Sequence, residues 1–135
     1  MSKRSVKHGL IFLLIILAAF MLTACNKASA DTLGYTQISQ AEAKEMMAKD
    51  DGHVIVDVRR EDEYNAGHIP GAIRVTNEEI GDTMPEELPD LDQIILVYCR
   101  SGRRSKEASE KLAKIGYTNV YEFGGIIDWD REVVK

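Results

Sequence analysis

The chain has 135 residues, with 17 basic and 22 acidic side chains and a formal net charge of −5. After any leader is removed, that leaves room for one small domain with a real core. The acidic balance argues against a nucleic-acid partner, and only two cysteines, Cys25 and Cys99, are present.

The N-terminus reads as an export signal. Lys3, Arg4 and Lys7 form a basic start, and Leu10 to Leu22 is an unbroken run of 13 apolar residues. A spanning helix needs about 20, so the run is a signal core rather than a stable anchor. It ends in Leu22-Thr23-Ala24-Cys25, which matches the bacterial lipoprotein signal: an apolar residue, two small ones, then the lipidated cysteine. The expected organisation is a signal peptide over 1–24, lipidated Cys25 with a small polar tether over 25–34, and a folded domain over 35–135. Residues 1–24 hold three basic groups and no acid, so the remainder carries 14 basic and 22 acidic residues, a formal charge of −8. With Cys25 lipidated through sulfur, Cys99 is the only remaining thiol. An intramolecular disulfide is then impossible, although an exported compartment favours one. The expected location is the cell envelope, with the domain facing outward from the cytoplasmic membrane or into the periplasm.

The folded part begins near Tyr35. Ser39 with Glu42 three residues later is a capping box, and Ala43, Met46 and Met47 give the following helix an apolar stripe. Asp50-Asp51-Gly52 ends it. Val54 to Val58 reads as a buried strand. Glu61 to Ala66 reads as a short helix, closed by Gly67 in a left-handed position. His68-Ile69-Pro70-Gly71 is a turn, and Ala72 to Val75 a brief strand. The stretch from Asn77 to Asp92 is mixed, with helical turns expected at Glu78-Glu79-Ile80 and Pro85-Glu86-Glu87-Leu88. Its acidic residues read as a solvated face.

The run Ile94-Ile95-Leu96-Val97-Tyr98 reads as a buried central strand ending in Cys99. A helix follows from Ser105, with Ala108, Leu112 and Ile115 on one face and Gly116 as its stop. Asn119 to Phe123 is a last strand, and Ile126 to Arg131 a terminal helical turn carrying Trp129. Strands alternating with helices imply a parallel sheet covered on both faces; a mixed sheet with one antiparallel edge strand is the alternative.

Cys99 therefore sits where a strand hands over to a helix, the usual ligand position in open α/β folds. Backbone N–H groups at such a junction bind anions. Arg100, Arg103 and Arg104 add positive charge, and Gly102 lets the backbone approach closely. These surroundings favour the thiolate, which is the nucleophilic form. A structural cysteine needs none of them.

Four segments then resemble a rhodanese domain, the sulfurtransferase module, over residues 36–134. They are Asp57-Val58-Arg59 with Glu61 and Tyr64; Gly67-His68-Ile69-Pro70-Gly71-Ala72; Tyr98-Cys99-Arg100-Ser101-Gly102-Arg103-Arg104-Ser105; and Gly124-Gly125-Ile126 with Trp129. The resemblance implies an α/β, three-layer fold with a five-stranded, mainly parallel sheet and helices on both faces. It implies Cys99 as the catalytic nucleophile, carrying a persulfide, and residues Arg100, Ser101, Gly102, Arg103, Arg104 and Ser105 as the loop that binds a small anionic sulfur donor such as thiosulfate. The acceptor is cyanide or a thiol. Asp57, Arg59 and His68 are supporting residues, with His68 holding a turn by hydrogen bonding. No cofactor or metal is expected, and the domain is expected to be a monomer.

Loop length separates two chemistries. Cysteine phosphatases place their phosphate-gripping arginine six positions after the cysteine. Here that position is Ser105, and Arg104 lies five on. The spacing fits the shorter sulfurtransferase loop. A carrier that passes the persulfide to a partner protein, a phosphatase or arsenate reductase, and a non-catalytic binding module are the alternatives.

Overall fold

The computed structural model describes residues 33–135. The expected signal peptide, Cys25 and the expected tether up to residue 32 lie outside them. Five strands form one sheet: β1 (Thr36–Gln37), β2 (Val54–Asp57), β3 (Ile73–Arg74), β4 (Ile94–Cys99) and β5 (Asn119–Gly125). Their order is β1-β5-β4-β2-β3, and every named pair is parallel. The antiparallel edge strand of the alternative reading is absent from this sheet. A single antiparallel bridge outside the strands joins His68 to Val134. Three helices connect the strands: α1 (Gln40–Met47), α2 (Glu61–Ala66) and α3 (Arg103–Ile115), with a 3-10 turn over Ile126–Asp128.

The period-2 alternation of a strand sends its side chains to opposite faces, and each face here has its own core. On one, Val56, Val58, Ile95, Val97, Cys99 and Val120 pack with Ala108 and Leu112 of α3. On the other, Ile55, Leu96, Tyr98 and Phe123 pack with Ala43 of α1 and with Ile69 and Ala72. This is why β4 reads as a continuous apolar run: both of its faces are covered. Burying a side chain such as Leu112 completely is worth about 1.5–3 kcal/mol.

Local signals account for most boundaries. The Ser39 box forms as its spacing predicts: Glu42 N–H donates to Ser39 Oγ at 3.2 Å, and Ser39 N–H donates to Glu42 Oε2 at 2.7 Å. The helix expected from Ser105 starts two residues earlier, at Arg103, because Gly102 takes φ 104° and turns the chain at the N-cap. Gly67 closes α2 at φ 157°, ψ 133°, more extended than the left-handed stop that the sequence suggests. Between Asn77 and Asp92 single turns stand where they are expected, closed by Glu79 N–H to Thr76 O and Leu88 N–H to Pro85 O, and none extends into a helix. β5 runs two residues past Phe123, because Gly125 pairs with Cys99.

Candidate active site

Cys99 ends β4 and is 1% exposed. Its Sγ accepts the Gly102 N–H at 3.0 Å and lies 3.4 Å from Ser105 Oγ. The positive φ of Gly102, 104°, then turns the chain into the helix. The chain thus closes a tight loop of Arg100, Ser101 and Gly102 over the thiol before α3 begins.

A second strand shapes this loop from beneath. The β4–β5 register runs regularly to Val97 opposite Glu122, and then jumps so that Cys99 faces Gly125. The extra residue is taken up in β5 as a bulge, with Gly124 at φ 94°. Gly125 lies so close to the loop that a Cβ there would stand 2.1 Å from Arg100 O. Only glycine fits there, while Gly124 beside it is favoured by its positive φ.

Glu122 is 3% exposed beneath the same loop. Its Oε1 accepts the Ser105 hydroxyl at 2.6 Å and the Gly124 N–H at 2.8 Å. Ser105 is fully buried, and its hydroxyl also lies 3.0 Å from Gly102 O. A continuous polar path therefore runs from Cys99 through Ser105 to a buried carboxylate. The sequence reading passed over Glu122. In a strand of alternating pattern it looks like an outward polar residue, yet it shares its side of the sheet with Val120.

The three loop arginines have separate fates. Arg100 is exposed, and its carbonyl accepts the Ile127 N–H at 3.2 Å. Arg103 is also exposed, with Glu107 3.6 Å away. Arg104 turns aside to α2 and makes a bidentate pair with Glu63, at 2.7 and 2.8 Å. Those hydrogen bonds hold the Glu63 carboxyl at about 2, well below its ordinary value of 4.5. Ser101 is exposed beside the loop, while Gly102 is buried in it.

Asp57, Arg59 and Tyr98 form a second buried cluster. Arg59 Nη2 donates to Asp57 Oδ2 at 2.7 Å, and Arg59 Nε donates to Oδ1 at 2.9 Å. Tyr98 donates its hydroxyl to Asp57 Oδ2 at 2.7 Å and accepts the Ile69 N–H at 3.0 Å. A second hydrogen bond from Arg59 Nη2, to Gly67 O at 2.7 Å, ties the cluster to the end of α2. Burial, reinforced by the Asp57 charge, pushes the Tyr98 phenol far above its usual range, so it stays a neutral donor. These contacts brace β2, β4 and the turn after α2. None of the cluster's hydrogen bonds reaches Sγ.

His68 stacks on Tyr64 with ring centroids 3.7 Å apart and planes within 8°. Its Nδ1 is 3.0 Å from Tyr64 O, and its backbone exchanges two hydrogen bonds with Val134. It anchors a turn and the C-terminal segment. Among the described residues, no group of histidine, cysteine and carboxylate side chains is arranged to hold a metal ion.

Comparison with known proteins agrees with this geometry. The rhodanese-like domain family matches residues 39–132. Thiosulfate sulfurtransferase GlpE of Pseudoalteromonas translucida is 35% identical over 99 residues, covering 73% of this chain and 91% of that protein. Thiosulfate sulfurtransferase PspE of Escherichia coli is 37% identical over 80 residues, covering 59% of this chain and 77% of that one. Among solved structures, a rhodanese-like domain protein from Staphylococcus aureus is 29% identical, with a TM-score of 0.63 over 72% of this chain and 93% of its own. The strand–loop–helix that presents Cys99, on a parallel five-stranded sheet, and the match over residues 39–132 place this chain in the rhodanese-like domain family.

Proposed function

We propose that this protein is a thiosulfate sulfurtransferase that works through a persulfide on Cys99. The observation that carries the reading is the Cys99 sulfur held at a strand–helix junction under the Gly102 N–H, inside a loop too short to place an arginine where a phosphatase needs one. Rhodanese relatives described as thiosulfate sulfurtransferases support sulfur transfer as the class of reaction.

The chemistry has two halves. The Cys99 thiolate attacks the outer sulfur of thiosulfate, and the S–S bond breaks with its electron pair leaving on sulfite. Cys99 becomes a persulfide anion, so the total charge is unchanged. A thiolate or cyanide then attacks the outer sulfur, and Cys99 leaves as the thiolate. Two displacements on one covalent carrier replace a single harder transfer. The Gly102 N–H stabilises negative sulfur at the start and end of each turnover. Exposed Arg100 and Arg103 attract the dianionic donor. Arg104 is less available to it, because Glu63 already neutralises its charge.

The same reading places the domain outside the cytoplasmic membrane, anchored through lipidated Cys25. The support is the basic start, the 13-residue apolar run and Leu22-Thr23-Ala24-Cys25. One acyl chain binds only marginally, so a diacylglycerol on the sulfur is needed for stable attachment. Fatty-acid labelling of wild type, lost in Cys25→Ala, tests this anchor.

Intact mass tests the transfer. Thiosulfate should add the mass of one sulfur atom to the protein, and cyanide should remove it and yield thiocyanate. Cys99→Ser should stay folded and do neither. Substantial turnover by the serine variant, or no added sulfur on wild type, would refute the assignment.

A further inference from the structure

The persulfide cycle needs Cys99 as an anion, yet the thiol is almost completely buried, and its proton requires an acceptor. The nearest charged loop groups are arginines, which cannot accept one. The one hydroxyl beside the sulfur belongs to Ser105, which also contacts a buried carboxylate. Among the described residues, Glu122 makes no hydrogen bond to a cation: its Oε1 is met by Ser105 Oγ at 2.6 Å and by the Gly124 N–H at 2.8 Å. This carboxylate is the base joined to the sulfur by hydrogen bonds through one hydroxyl.

We infer that Glu122 takes the Cys99 proton through the Ser105 hydroxyl. The Sγ–H donates to Ser105 Oγ across 3.4 Å, while the Ser105 O–H donates to Glu122 Oε1. Transfer breaks the S–H bond and forms a new O–H bond on Ser105, whose own proton passes to Glu122. The products are a thiolate that accepts both the Ser105 O–H and the Gly102 N–H, and a neutral carboxylic acid. One negative charge moves from Glu122 to Cys99, and none is created or lost.

A pocket of about 290 Å³ lies on the far side of Glu122, between β1, the Cys99 loop and the end of β5. Gln37, Ser39, Ser101, Lys106 and Asp128 help to line it, beside apolar Ile38 and Phe123. Cys99 is not part of that wall. Glu122 itself helps to line this pocket, so a proton lodged on it can exchange with solvent there. The charged groups around the pair are Lys106 and Asp128 in the pocket, exposed Arg100 and Arg103 on the loop, and Arg104, which is held by Glu63.

This relay rests on Cys99 being the nucleophile of the proposed transfer, but its test uses no sulfur donor, so either can fail alone. The test is the rate of Cys99 alkylation by iodoacetamide in the full chain against pH, read by peptide mass so that Cys25 is counted separately. Two groups that share one proton keep a constant thiolate fraction between their two titration steps. The wild-type rate should therefore be nearly flat through neutral pH. In Glu122→Gln the proton must go to solvent, so the rate should climb with pH and be at least about tenfold below wild type at about pH 6. Ser105→Ala should copy the Gln profile, and Ser105→Thr, which keeps the hydroxyl, should restore the flat one. A merely structural Glu122 would leave the shape of the profile unchanged. Superimposable profiles, a uniform change in rate without change of shape, or a faster Glu122→Gln at every pH would each overturn the relay. If Glu122→Gln does not fold, the Ser105 pair decides: a flat profile in Ser105→Ala, or a sloped one in Ser105→Thr, would overturn it.

Discussion

Two buried carboxylates lie on the strands that flank β4, and their surroundings differ in kind. Asp57 is fully buried against a guanidinium. Four hydrogen bonds from Arg59, one of them from its backbone, and one from Tyr98 converge on its two oxygens. Glu122 is buried almost as deeply, but among the described residues its side chain is met by one hydroxyl and one amide, and it helps to line an open pocket. Depth is thus a poor guide to role. A carboxylate locked to a cation serves as a brace. One met only by neutral donors is not tied up in an ion pair. The Ser105 hydroxyl, 2.6 Å from Glu122 Oε1 and 3.4 Å from Cys99 Sγ, joins that carboxylate to the thiol.

The sharpest way to break this contrast is Asp57→Ala. It leaves the Arg59 charge buried, and removes the acceptor for Tyr98. Such a loss should cost about 3–5 kcal/mol, read as a drop in the denaturant midpoint at unchanged slope. The pH profile of Cys99 alkylation should keep its shape in the surviving folded protein. A cost below about 1 kcal/mol would show that the cluster is not the brace described here.

Tyr98→Phe probes the same cluster more gently. It removes one donor to Asp57 and leaves the Ile69 N–H without its partner, while the ring and its packing on Phe123 remain. An unmade hydrogen bond at a buried group costs about 1–3 kcal/mol. The expected loss by chemical denaturation is therefore smaller than for Asp57→Ala. If the two variants were equally destabilised, the Arg59 charge would be contributing nothing to the difference.

Glu63 supplies a third, intermediate case, paired with a cation but close to the surface. Its carboxyl titrates at about 2 in the folded protein, against an ordinary 4.5, through the Arg104 hydrogen bonds. A depressed folded value means that the pair's stability is complete above about pH 4.5, and is lost as pH falls toward about 2. Solvent screening reduces its worth to about 1 kcal/mol. Wild type should therefore lose that increment across this acid window, and Glu63→Gln should lose it already at neutral pH. Equal acid dependence of the two proteins would show that the pair does not couple to folding.

Much of the fold was legible from local patterns. The Ser39–Glu42 box, the glycine stop at Gly116 and the both-faces-apolar β4 each rest on residues within a few positions of one another. The strand–loop–helix at Cys99 was legible for the same reason. The mixed stretch from Asn77 to Asp92 was harder to read. Its short acidic segments resemble first turns of helices, but they lack an apolar stripe long enough to hold one against the sheet.

The sequence alone determined the parallel α/β architecture, the family motifs and the identity of the candidate nucleophile, because these depend on period, turn chemistry and spacing along the chain. It also carried the whole argument for export. Tertiary structure alone decided which charges meet. Arg104 turns from the loop to Glu63, 41 residues earlier. Gly125 is required because β5 runs under Arg100, and a bulge carries β5 past that loop. Glu122 comes under Cys99 because parallel pairing sets Val97 opposite it, and because α3 places Ser105 between the carboxylate and the thiol. Such contacts join residues far apart in the chain, through strand register and helix packing that no local pattern encodes.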